Sequence, residues 1–196
     1  MAEPAYTRLP VGERRSRLLD LGVSLFSQHS YDELSMAEIA RQAGISKALL
    51  YHYFPGKQEY FEATLAQAAA ALGEITEPDP DLEPIEALTQ SVDAFLAWID
   101  GNETAYRKLM QSAGSAPGVR ALIDDVRDRT ATRILEGIGA AGQPKSRAAA
   151  RGWLWYMDGV ILDWLEHRDI DRTELRDLLV GSLAGALAAA AASPRA

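Results

Sequence analysis

The segment SKALLYHYFPGK, residues 46–57, carries ammonium, hydroxyl, imidazole and phenol groups at helical spacing. With Leu50 and Tyr53 turned inward, a 3.6-residue period leaves Ser46, Lys47, Ala48, Leu49, Tyr51 and His52 on the outer face or its margins. Such groups suit base edges and phosphate oxygens, so the chemistry on offer is non-covalent recognition of a duplex. Lys47 and its neighbours at the leading end would reach base edges, while Tyr51, His52 and Lys57 would meet phosphates and set register. A helix pair that merely packs would be expected to show Glu–Lys pairs on this face instead, and it has none.

The elements that must hold those groups lie just upstream. Ser35 followed by Glu38 predicts a capping box and a helix from Met36, whose inner side is Ile39, Ala40 and Ala43. Gly44 gives the turn its backbone freedom, Ile45 plugs it into the core, and Ser46 caps the second helix. Two short helices across a Gly-containing turn form a helix-turn-helix. Ser35 can cap its helix and also touch a phosphate.

From about Arg14 to Phe61 the chain resembles the DNA-binding domain of the TetR family of transcriptional regulators. The resemblance is carried by Ser35, by AEIARQAGIS, and above all by LLYHYFPGKQEYF with Phe54, Pro55 and Lys57. Ser35 stands where Thr is frequent in that family. Beyond this segment the chain is similar only in length and helical character. The resemblance implies a homodimer whose two heads read a near-palindromic DNA operator.

Composition is consistent with this. Hydrophobic residues make up 47% of the 196-residue chain and charged residues 24%, which suits a globular protein with a sizeable core. Residues 1–57 hold seven Lys/Arg against six Asp/Glu and the rest thirteen against twenty-two, which together give the net charge of −8. An acidic body with a near-neutral head limits DNA contact to one face and makes affinity depend on dimerisation. With no cysteine there is no disulfide, thiolate metal site or cysteine nucleophile. His29, His52 and His167 lack metal-ligand spacing, and no phosphate loop or nucleophile–base set is visible, so neither an enzyme nor a cofactor is expected. No signal peptide or membrane span is expected either, since the run LAGALAAAAA is too short to cross a bilayer; the expected location is cytoplasmic.

The expected fold is all-α with about nine helices: a three-helix head over residues 1–56 and a helical ligand-binding and dimerisation bundle over 57–196. Residues 1–10 read as a disordered arm whose Arg8 is either solvated or near DNA. A first helix from about Val11 to His29 carries Leu18, Leu21, Leu25 and Phe26 inward. Arg14, Arg15 and Arg17 crowd its opening turns, where a phosphate would offset their clash with the helix dipole. A fourth helix from Lys57 to about Gly73 belongs to both domains, and EITEPDPDLEP breaks it. Further helices are expected from Pro84 to Gly101 with Ile85 in the inward stripe, from Asn102 to near Gly114, from Pro117 to the glycines at 137–142, from Pro144 to His167, and from Thr173 to Ala191 with Leu175, Leu178, Leu179 and Leu183 inward.

Two arcs of the Pro144 helix invite function. Trp153, Tyr156, Met157 and Trp164 fit the wall of an apolar cavity for a small effector, with Phe95, Trp98, Tyr106 and Met110 opposite; plain core packing is the alternative. Arg133, on an apolar side, would either meet an anionic ligand or pair with Asp158. A second arc, Ala148, Gly152, Trp155, Gly159 and Leu162, is small enough for close helix approach and would pair two copies in a four-helix interface with Leu179 and Leu183 of the last helix. The expected function is a DNA-binding regulator, a repressor released by a small, largely apolar effector; a ligand-free dimer and, less favoured, a helical enzyme are the alternatives.

Overall fold

The computed structural model describes residues 11–112 and 117–192, and among them it contains nine helices and no strand. The arm of residues 1–10 with Arg8, and the helix end expected near Gly114, lie outside the described residues. The chain divides into two compact units, Met1–Ala68 and Ala69–Ala196, each with its own core.

The first unit is built from α1 (Val11–Gln28), α2 (Met36–Gln42), α3 (Lys47–Tyr53) and the opening turns of α4 (Lys57–Ile75). Its aromatic rings interlock: Phe26 meets Phe61 edge-on at 4.6 Å, and Phe54 meets Tyr60 at 4.9 Å. The Tyr60 hydroxyl donates to the Leu18 carbonyl at 2.6 Å, and burial pushes that phenol's pKa up to about 12. Helices α1 and α4 approach so closely here that a Cβ on Gly22 would lie 2.4 Å from Thr64 Oγ1. The division between the units falls inside α4 because Tyr60, Phe61 and Thr64 are buried with the head.

The second unit comprises the rest of α4, α5 (Pro84–Gly101), α6 (Glu103–Ser112), α7 (Pro117–Gly137), α8 (Pro144–His167) and α9 (Arg172–Ala191). Helix α9 packs against α5 and α8, and α8 against α7. Leu96, Ile99, Ala150, Ile161, Leu175, Leu179 and Leu183 are fully buried where they meet. Asp171 and Glu174 form a reciprocal capping box that starts α9 one residue earlier than expected. Two residues expected inside are outside: Ile85 is 50% exposed and Leu178 48%. Helix α8 ends on Arg168 with φ 51°, a left-handed conformation. Its guanidinium bonds Asp100 at 2.8 Å and Glu103 at 2.7 Å, and stacks 3.9 Å over Trp164. These two contacts tie the end of α8 to the α5–α6 corner. Arg168, then Arg107, also lowers the pKa of Glu103.

Candidate functional site

The turn between α2 and α3 is a Schellman motif. Ile45 N–H donates to the Ala40 carbonyl at 3.0 Å and Gly44 N–H to Arg41 at 3.2 Å, with Gly44 at φ 64°. A residue with a Cβ would be strained at that φ, so Gly44 sets the crossing of the two helices. Ser35 Oγ accepts from the Glu38 amide and Ser46 Oγ from the Leu49 amide, both at 3.2 Å. Each hydroxyl accepts with a lone pair and keeps its own proton to donate outward. The expected capping box is only half formed. The Glu38 carboxylate turns to Arg41 at 2.6 Å and Gln42 at 2.9 Å, because a guanidinium binds a carboxylate more strongly than an amide does. Those bonds hold the Glu38 pKa down at about 2.

With Leu50 wholly buried, α3 presents Ser46, Lys47, Ala48, Tyr51 and His52 to solvent and leaves Leu49 half-buried at the margin. Tyr51 is 42% exposed. The Lys47 ammonium sits 5.7 Å from the Tyr51 ring, and the His52 ring is edge-on to Tyr53. Thus six of the eight expected DNA contacts share one face of α3, and Ser35 stands exposed at the start of α2. Lys57 does not join them. Its ammonium donates to the Leu34 carbonyl at 2.9 Å and lies 4.1 Å over the Tyr31 ring. Of the crowded α1 arginines, Arg17 pairs with Glu13 at 2.9 Å and Arg15 lies 5.3 Å over the Phe54 ring.

In the second unit the expected ligand residues separate. Tyr106, Trp153 and Trp164 are core, with Phe95, Trp98, Met110 and Met157 packed half-buried against them. The Trp153 indole donates to Leu179 O and Ser182 Oγ, and the Trp164 indole to Ile170 O. Their polar edges are therefore already satisfied within the chain. Tyr156 is 42% exposed and Arg133 is exposed, so neither faces the interior. On α7 the buried side is Val119, Ile123, Ala131 and Leu135, Arg127 occupies the step between them, and Arg133 lies off this side. Asp158 therefore pairs with Arg127 at 2.5 Å and accepts from Tyr106 at 2.9 Å, not with Arg133. Arg127 also meets Asp124 and stacks 3.8 Å over Trp155. Burial first, then the Asp158 charge, raises the Tyr106 pKa strongly. A four-residue step from Ile123 would have found Arg127.

Two open grooves mark this unit. One of about 350 Å³ is lined by Ile85, Thr89, Asp93 and Arg176 among others, and one of about 270 Å³ by Gly159, Val160, Trp164, Ile170 and Leu178 among others. Of the residues expected to line a cavity, Trp164 borders the second. Along α8, Ala148, Gly152, Trp155 and Gly159 are exposed and Leu162 is half-buried. Leu179 and Leu183 are wholly buried inside the chain's own bundle, so they offer no surface to a second copy. Among the described residues no cluster of His, Asp or Glu is arranged to hold a metal, and no helix is long and apolar enough to cross a membrane.

A Schellman turn that joins two short helices and leaves the second with an exposed polar face is a helix-turn-helix, the arrangement that places a second helix in a major groove. Residues 18–64 match the model described as bacterial regulatory proteins, tetR family, and residues 84–185 match the tetracyclin repressor-like C-terminal domain. The chain belongs to the TetR family of bacterial transcriptional regulators. A TetR-family regulator from Streptomyces coelicolor is similar at 32% identity and TM-score 0.81, over 93% of this chain and 84% of that one. The transcriptional activator FasR of Mycolicibacterium smegmatis is 32% identical over 54% of this chain and 49% of its own length. The regulator HbdR of Aromatoleum sp. strain CIB is 32% identical over 66% of this chain and 58% of its own. The chain thus spans about half to three-fifths of these curated relatives. They are named as transcriptional regulators, not enzymes.

Proposed function

We propose that the chain is a homodimeric repressor that reads a near-palindromic operator and is released by a small, largely apolar effector. The observation that carries the reading is the outer face of α3, where Lys47, Tyr51 and His52 stand exposed beside the Ala48 methyl. In a major groove, Lys47 would donate to base acceptors, Ala48 would meet a thymine methyl, and Tyr51 and His52 would hold phosphates. Self-association is supported by the exposed α8 arc of Ala148, Gly152, Trp155 and Gly159, to which Leu178, Gly181 and Gly185 of α9 add exposed surface. A Cβ at any of those four glycines would meet nothing within 4 Å, so a second helix has room to approach.

An apolar effector suits the groove bordered by Val160, Trp164, Ile170 and Leu178. It would release DNA only by binding two states of the protein unequally. Selection from random-sequence duplexes tests the DNA reading: the full-length protein should enrich a two-fold motif at moderate salt, and enrichment of none would end it. Sedimentation tests the dimer, which Trp155→Ala and Gly152→Leu should weaken at least about tenfold if α8 is the interface.

A further inference from the structure

The side chain that the motif offers most openly to a phosphate is held inside the head. Lys57 opens α4, is half-buried, and spends one N–H on the Leu34 carbonyl, immediately before the cap residue Ser35. Its charge rests 4.1 Å above the Tyr31 ring, which in turn packs against Phe61 at 5.1 Å. One ammonium therefore fastens the loop between α1 and α2 to the first residue of α4. The fastened carbonyl belongs to the peptide that delivers Ser35 to its two bonds on α2, from the Glu38 amide to Oγ at 3.2 Å and from the Ile39 amide to the carbonyl at 2.9 Å. An ammonium satisfied by a carbonyl and an aromatic face has less reason to seek a phosphate than one in water. Movement at Leu34 would be passed through rigid α2 and the Schellman turn to α3.

We propose that Lys57 is a positioning residue: it sets the N-terminus of α2, and through it the recognition helix, and does not act as a phosphate ligand. The proposal rests on the DNA-binding reading above. A phosphate contact and a tether differ in salt and sequence dependence. Losing a phosphate contact weakens all sequences alike and makes the plot of log K against log salt shallower by about 0.9. Losing a tether weakens the cognate site and leaves random-sequence binding and the slope as they were.

The experiment compares the wild type with Lys57→Met, Lys57→Arg and Tyr31→Leu, all full length, on the duplex selected by the wild type and on random-sequence DNA. Lys57→Met should lose about tenfold on the selected duplex with an unchanged slope. Lys57→Arg, which keeps a donor and a charge over the ring, should recover most of that loss. Tyr31→Leu should fall between them, and it carries the test if Lys57→Met does not fold. Amide exchange adds a DNA-free readout: Glu38 and Ile39 should exchange faster in Lys57→Met. A shallower slope with equal loss on both DNAs, or undiminished affinity for the selected duplex, overturns the proposal. If the wild type selects no duplex, the DNA-binding reading has failed, and unchanged exchange at Glu38 and Ile39 would separately overturn the tether.

Discussion

The two units place their exposed rings differently. In the first, Phe26, Phe54, Tyr60 and Phe61 are all at most 8% exposed, while Tyr51, 42% exposed, stands on the polar face of α3 that would meet DNA. In the second, one helix sends its rings both ways: Trp153 and Trp164 are 5% and 4% exposed, while Trp155 and Tyr156 are 54% and 42%. Ring chemistry alone therefore does not mark a ligand wall. What decides is the phase of the helix against its neighbours, and in α8 that phase leaves Trp155 outside, with the Arg127 guanidinium 3.8 Å over its ring.

The largest effect that would sharpen this comparison lies at Arg127. Arg127→Met should cost about 3 kcal/mol in urea unfolding, because Asp158 would keep its charge inside with only Tyr106 beside it. In the first unit, Lys47→Ala should weaken operator binding about tenfold or more while changing stability by less than about 0.5 kcal/mol. Binding titration alongside thermal melting checks both halves, and a matching loss of stability would mean that α3 is core and not surface.

Tyr60→Phe should cost about 1 kcal/mol at neutral pH by removing the bond to Leu18. Its pH dependence is also fixed in sign. The folded phenol holds its proton up to about 12, above the ordinary 10, so its contribution is whole below pH 10 and lost as pH rises towards 12. The variant should show a flatter decline of the urea midpoint across that window. Smallest of all, Arg133→Met should stay within about 0.5 kcal/mol of the wild type, since the residue is exposed. A large cost there with none at Arg127 would restore the pairing expected from the sequence.

The head was legible because its signals are local. Ser35, Gly44 and Ser46 each act within five residues, and Leu50 needs only helical period to point inward. Helix boundaries in the second unit were legible for the same reason, as Pro84, Pro117 and Pro144 open their helices. Partners were not. Asp158 meets Arg127 across 31 positions and Tyr106 across 52, and which arginine lies opposite depends on how α7 rotates against α8. Lys57 shows the same limit: its type and place suit a phosphate, and the Leu34 carbonyl it bonds lies 23 positions upstream, beyond the reach of local spacing. The buried state of Leu179 and Leu183 likewise follows from α5 and α8 closing over them, which helical spacing within α9 does not reveal.

The left-handed end of α8 has a consequence for anyone seeking a hardier protein. Glycine is the usual remedy at such a position and would relax the backbone by about 1 kcal/mol. Here it would also delete the grip on Asp100 and Glu103 and bare one face of Trp164, a loss of similar size. The melting temperature would hardly move, yet the corner between α5 and α6 would come loose from the far end of α8. Position 168 is occupied for the reach of its side chain, in spite of the turn it must make.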